Sequence, residues 1–92
     1  MKTILILSLD ILRLEPGLYE AYCTGEVGGS THHASLTEAL AYYGNTIPPE
    51  FARFVEPRYG GVSLGTMQVC DLATQPAALA DRLTELVAQV NN

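Results

Sequence analysis

The sequence predicts an α+β fold, a ferredoxin-like plait in permuted ββαββα order, with a four-stranded antiparallel sheet and two helices on one face. Three observations predict it. An apolar, β-forming run is followed at once by a Pro-Gly turn. Two segments with helical spacing of apolar residues begin near Ser35 and Thr74. Between them, Gly60-Gly61 is flanked by aromatic and β-branched residues, which marks a second hairpin. Moving the last strand of a βαββαβ plait to the front produces this order. The 92 residues suit a single domain, residues 1–92.

Residues 3–14, TILILSLDILRL, read as the first strand. Leu5, Leu7, Leu9 and Ile11 would pack beneath the helices. Ile4, Ile6, Ser8, Asp10, Leu12 and Leu14 would point to the other face. Glu15-Pro16-Gly17 is turn chemistry, because Pro sets φ and Gly accepts a positive one. The following LYEAYCTGEV is the second strand, with Glu20, Tyr22 and Thr24 on its more polar face. GGSTHHA reads as a flexible connection. Ser35-Leu36-Thr37-Glu38 is a capping box, and Leu36, Ala39, Leu40 and Tyr43 form a helical stripe that Gly44 is expected to end.

The stretch from Pro48 to Tyr59 admits two readings. Pro48-Pro49-Glu50 can open a short helix, or a strand can run from Phe51 to Tyr59 and turn through Gly60-Gly61 into a strand from Val62 to Cys70. The hairpin is preferred, with Pro57 at an edge or bulge. Thr74 is expected to cap the last helix, whose stripe is Leu79, Leu83, Leu86, Val87 and Val90.

Apolar residues make up 48% of the chain and charged residues only 16%, so polar surface is scarce. Burial of apolar surface between subunits, in a homodimer, is the expected consequence. Three Asp and seven Glu outweigh Lys2, Arg13, Arg53, Arg58 and Arg82, giving a net charge of −5. No basic stripe is present, so binding to nucleic acid would need a local patch or metal ions. The opening apolar run falls well short of the roughly 20 residues of a membrane span, and Arg13 and Glu15 follow it closely. A soluble, cytoplasmic protein is expected. Cys23 and Cys70 are isolated from other metal-type ligands and read as buried free thiols.

Asp10 is the anomaly. It interrupts an apolar strand on the face expected to meet a second subunit, where an ionised carboxylate must be paired, hydrated or bound to a cation. Two symmetry-related carboxylates would repel each other unless they shared an oxygen-loving ion such as Mg²⁺. An Asp at this point of a first strand ILILSLD, on a small ferredoxin-like dimer, resembles the small CRISPR-associated nuclease of the spacer-acquisition complex. The resemblance covers about the first dozen residues and the fold class. That family usually has an aromatic or small residue before its Asp and a helix after the strand; this chain has Leu9 and a second strand. The resemblance implies a homodimeric nuclease hydrolysing phosphodiester bonds in DNA or RNA, with Asp10 as the ligand of Mg²⁺ or Mn²⁺.

Asp71, read as ending a strand, is the candidate to assist Asp10 in catalysis. Arg13 and Arg58 are the candidate phosphate partners, since a guanidinium grips phosphate in a bidentate manner. Each has a simpler role available: a hydrogen-bonded interface carboxylate for Asp10, a turn or cap for Asp71, and ion pairs with Glu15 or Glu56 for the arginines. His32-His33 lacks a further histidine to complete a metal site and reads as solvated loop. The alternative to a nuclease is a non-catalytic dimeric module that binds a protein partner or a small ligand.

Overall fold

The computed structural model describes residues 6–23, 30–48, 50 and 52–90. It is a mixed α+β fold of two layers, one sheet and three helices. The strands are β1 (Ile6–Glu15), β2 (Leu18–Cys23), β3 (Thr31–His33), β4 (Phe54–Tyr59), β5 (Val62–Ser63) and β6 (Met67–Gln68). The helices are α1 (Leu36–Thr46), α2 (Val69–Thr74) and α3 (Pro76–Val90). Strand order is β3-β2-β1-β4-β5, with β6 also pairing to β4.

This is not the expected four-stranded antiparallel plait. The sheet has six strands, and its central pair, β1 and β4, is parallel. The cause is local. Thr31–His33, expected as loop, pairs with β2 as a third antiparallel strand. The chain therefore leaves the sheet running the same way as β1, and α1 carries it back so that β4 re-enters alongside β1 in parallel. A parallel neighbour needs such a crossover.

The β1–β2 hairpin forms as expected, with Gly17 at φ 80° in its turn. Expected continuations of these strands into residues 3–5 and 24–27 lie outside the described residues. The Ser35 hydroxyl accepts from the Glu38 amide at 3.1 Å, so the cap is where the capping box placed it. The Glu38 carboxylate reaches back one residue further than the motif requires, to the Ala34 amide.

Helix α1 does not stop at Gly44. It continues to Thr46, and Gly44 serves packing instead: a Cβ there would stand 2.4 Å from the Ala73 amide nitrogen. The absent side chain lets α1 lie directly against the α2 backbone.

The second hairpin turns at Gly60-Gly61, both residues having positive φ, as a two-residue turn between twisted strands demands. Its strands are shorter than expected. The start of the strand reading at Phe51 lies outside the described residues, and the observed strand begins at Phe54. After Ser63 the ladder breaks, resumes only at Met67–Gln68, and gives way to α2 at Val69. The stretch from Val69 to Cys70 is thus helix rather than strand. Thr74 closes α2 by donating to the Cys70 carbonyl rather than capping the last helix. In α3, Ala80 and Leu83 are buried, while Val90 at the end of the expected stripe is exposed.

One core joins Leu7, Leu9, Ile11, Ala21, Cys23 and Val55 of the sheet to Leu40, Tyr43, Leu72 and Leu83 of the helices. All three helices lie on that side. Cys23 is buried as expected, but Cys70 is exposed on α2; both are free thiols. No helix of the described residues is long and apolar enough to cross a membrane.

Candidate functional site on the open sheet face

Strand alternation sends every second side chain away from the helices. On that open face Asp10 lies between Tyr22 of β2 and Arg58 of β4, Ser8 lies beside Glu56, and Leu12 beside Glu20. Ser63 of β5 pairs across from Arg58. The face thus has a polar centre within an apolar surround: Ile6 is 48%, Leu12 57% and Tyr22 49% exposed. Asp10, Leu12, Tyr22, Arg58 and Ser63 line an open groove of about 680 Å³ that runs to the Gly60-Gly61 turn.

The polar groups have settled into particular pairings. Ser8 Oγ donates to Asp10 Oδ2 at 3.3 Å. Ser63 Oγ donates to Glu56 Oε2 at 2.7 Å and accepts from the Gly65 amide at 2.9 Å. The Arg58 guanidinium pairs with Glu56 at 3.5 Å, the simpler role anticipated for it. No ion pair within 4 Å joins Arg58 to Asp10, although the two are register neighbours. At the β3 edge His32 approaches Glu20 at 3.5 Å.

Of the four residues singled out in the sequence, the fold brings two together, Asp10 and Arg58. Arg13 follows Ile11 with the same parity, so it belongs to the helix-side face, where its charge reaches Tyr59. Asp71 is not outside a helix as expected; it sits in the first turn of α2. Helix α2 follows β6, whose Gln68 pairs with Phe54, whereas Asp10 pairs with Arg58. Four residues of β4, about 13 Å at strand rise, separate the partner of Gln68 from the partner of Asp10, and Asp71 lies three residues beyond Gln68.

Glu56 and Ser63, which no sequence motif marks as site residues, share the centre instead. Alternation alone puts Glu56 and Arg58 on one face of their strand. Their place beside Asp10 depends on the parallel pairing, which no local sequence signal announces. Among the described residues no group of three or more His, Cys, Asp or Glu side chains is arranged to hold a metal ion.

A family-model scan and searches of curated proteins and solved structures find no match to this chain.

A second polar cluster lies inside the opposite layer. Tyr43, buried on α1, donates its hydroxyl to the Ala21 carbonyl at 3.1 Å and lies 3.1 Å from Thr31 Oγ1. Thr31 Oγ1 is in turn 2.7 Å from His33 Nε2. Burial pushes the Tyr43 hydroxyl up, and burial holds the His33 imidazole down against the raising influence of Glu38. The cluster locks β2, β3 and α1 together, so Thr31 and His33 act as structural ties between layers. Cys23 is pushed up to about 11, first by burial and then by the charge of Asp10, which leaves it a poor nucleophile.

Proposed function

We propose that this protein is a non-catalytic binding module that dimerises through its open sheet face, a second copy of the chain being the occupant. The observation that supports it most is the arrangement of Ile6, Leu12 and Tyr22, all about half exposed, around a charged centre. A patch of this kind, on a sheet face that no helix of the described residues covers, is characteristic of association surfaces. Its charges suit a twofold interface. Asp10 and Arg58 are neighbours that do not pair within one chain, and a twofold axis through the groove lets Asp10 of one copy meet Arg58 of the other. Each Arg58 would then lie between Glu56 of its own chain and Asp10 of the other as the apolar surround excludes water.

Sedimentation equilibrium tests this reading. The wild type is expected as a dimer, and Leu12→Glu as a monomer with unchanged far-UV circular dichroism. A wild-type monomer at every accessible concentration overturns it.

The nuclease reading retains one specific observation. Asp10 presents a carboxylate on the open face of a central strand, lining a groove beside Arg58, which suits a phosphate group. An Mg²⁺ or Mn²⁺ ion held by Asp10 would supply Lewis-acid activation of a phosphodiester and of water. The supporting set is thin, since Glu56 already accepts from Ser63 and pairs with Arg58. Incubating DNA and RNA with the folded protein, with and without either ion and beside Asp10→Ala, decides it. Metal-dependent cleavage that Asp10→Ala abolishes supports the nuclease; cleavage by neither protein leaves the binding module.

A further inference from the structure

A cleft on the other side of the molecule is built differently from the open face. It lies where the end of α1 meets α2 and the start of β4, and its volume is about 430 Å³. That size falls within the range of small-molecule sites, roughly 300–1,000 Å³. Its walls include Ile47, Ala52 and Val69, all buried core residues. Two features make these walls firm. Gly44 lets α1 rest on the α2 backbone without a side chain between them. The Val69 amide donates to the Arg53 carbonyl at 2.8 Å, tying the start of α2 to the segment before β4.

Into this mainly apolar lining, whose neutral polar members are Gln68, Cys70 and Thr74, the fold places one charged residue, Arg53. Among the described residues no carboxylate lies within 4 Å of its guanidinium, whereas Arg58 has Glu56. A guanidinium beside an apolar cleft, with no acid to neutralise it, complements a ligand having a hydrocarbon body and an anionic end. One guanidinium matches a monoanion better than a phosphate dianion, because no second cation lines the cleft to meet a second charge.

We propose that this cleft binds a small amphipathic carboxylate, an aliphatic or aromatic monoacid, with its apolar body against Ile47, Ala52 and Val69 and its carboxylate on Arg53. The site is separate from the open sheet face and does not depend on dimerisation.

Cys70 supplies the measurement, because its exposed thiol lines the same cleft while Cys23 is buried. Decanoate is titrated below its micellar concentration while Cys70 is labelled with a maleimide, and the amide spectrum of the intact protein is recorded in parallel. Decanoate is expected to slow labelling several-fold and to shift the amides of Val69 and Ala73. Arg53→Gln is expected to raise the half-protecting concentration by about tenfold or more, the value of a charge-assisted hydrogen bond. Decanol is expected to protect far less than decanoate. Absence of protection with wild type, equal protection by decanol, or unchanged protection in a folded Arg53→Gln each overturns the proposal.

Discussion

Both faces of β1 carry large aliphatic residues, and those residues meet opposite fates. Leu7, Leu9 and Ile11 are 1%, 0% and 4% exposed beneath the helices, while Ile6 and Leu12 on the other face are 48% and 57% exposed. Residue for residue these aliphatic side chains are equally hydrophobic. What differs is that Ser8 and Asp10 share the face of Ile6 and Leu12, and that the helices cover the other. Leu40, Tyr43, Leu72 and Leu83 of those helices all pack against the odd-numbered residues. An apolar side chain contributes to folding only where a second layer meets it. Elsewhere it is available for association.

The sharpest test of this contrast is a pair of substitutions on one strand. Leu9→Ala is expected to cost about 2–5 kcal/mol of unfolding free energy. Leu12→Ala, measured at dilution where association is absent, is expected to stay within about 0.5 kcal/mol. Urea unfolding followed by circular dichroism compares them, and equal losses would mean that the two faces are not distinct.

The covered side is also expected to be intolerant of added atoms. Gly44→Ala introduces a Cβ against the α2 backbone, and the overpacking is expected to cost about 1–3 kcal/mol despite the better helix propensity of alanine. The same denaturation experiment reads it. A neutral or stabilising outcome would show that α1 and α2 are less closely packed than Gly44 implies. Ser35→Ala removes the hydroxyl that caps α1 and is expected to lower stability by about 1 kcal/mol, seen as a lower thermal midpoint.

The smallest effect expected is a pH dependence from the tie between β3 and α1. Burial holds His33 below its ordinary value of 6.5 in the folded chain. The unfolded chain therefore takes up this proton at higher pH than the folded one. Stability is lost as pH falls through 6.5 toward the folded value, and the loss levels off below it. His33→Gln removes this contribution, so the thermal midpoints of wild type and variant should converge as the pH is lowered from 7 to 5. Parallel midpoints across that range would show that His33 does not titrate with folding.

How much of this was legible in the sequence varied with the range of the interactions concerned. The β1–β2 hairpin, the Ser35 cap and the Gly60-Gly61 turn are local, each decided by a few adjacent residues, and each was readable. The alternation on β1 correctly put Asp10 on the face away from the helices. The strand pairings were not readable. Thr31–His33 is too short and polar to signal a strand, and once it pairs with β2 the whole direction of β4 changes. Without that step neither the parallel neighbour nor the placing of Glu56 and Arg58 beside Ser8 and Asp10 could be foreseen. Gly44 shows a different limit: a glycine near a helix end reads as a stop signal, and only the position of α2 reveals it as a contact.

The sheet is long in the middle and short at its margins. β1 spans ten residues, whereas β3 has three and β5 and β6 only two each. Unpaired strand margins are where chains add to one another without limit, and short ones offer little backbone for templating. Stacking of faces, the route proposed for the dimer, would close after two copies, while growth along the hydrogen-bonding direction, which leads to fibrils, finds only short margins among the described residues.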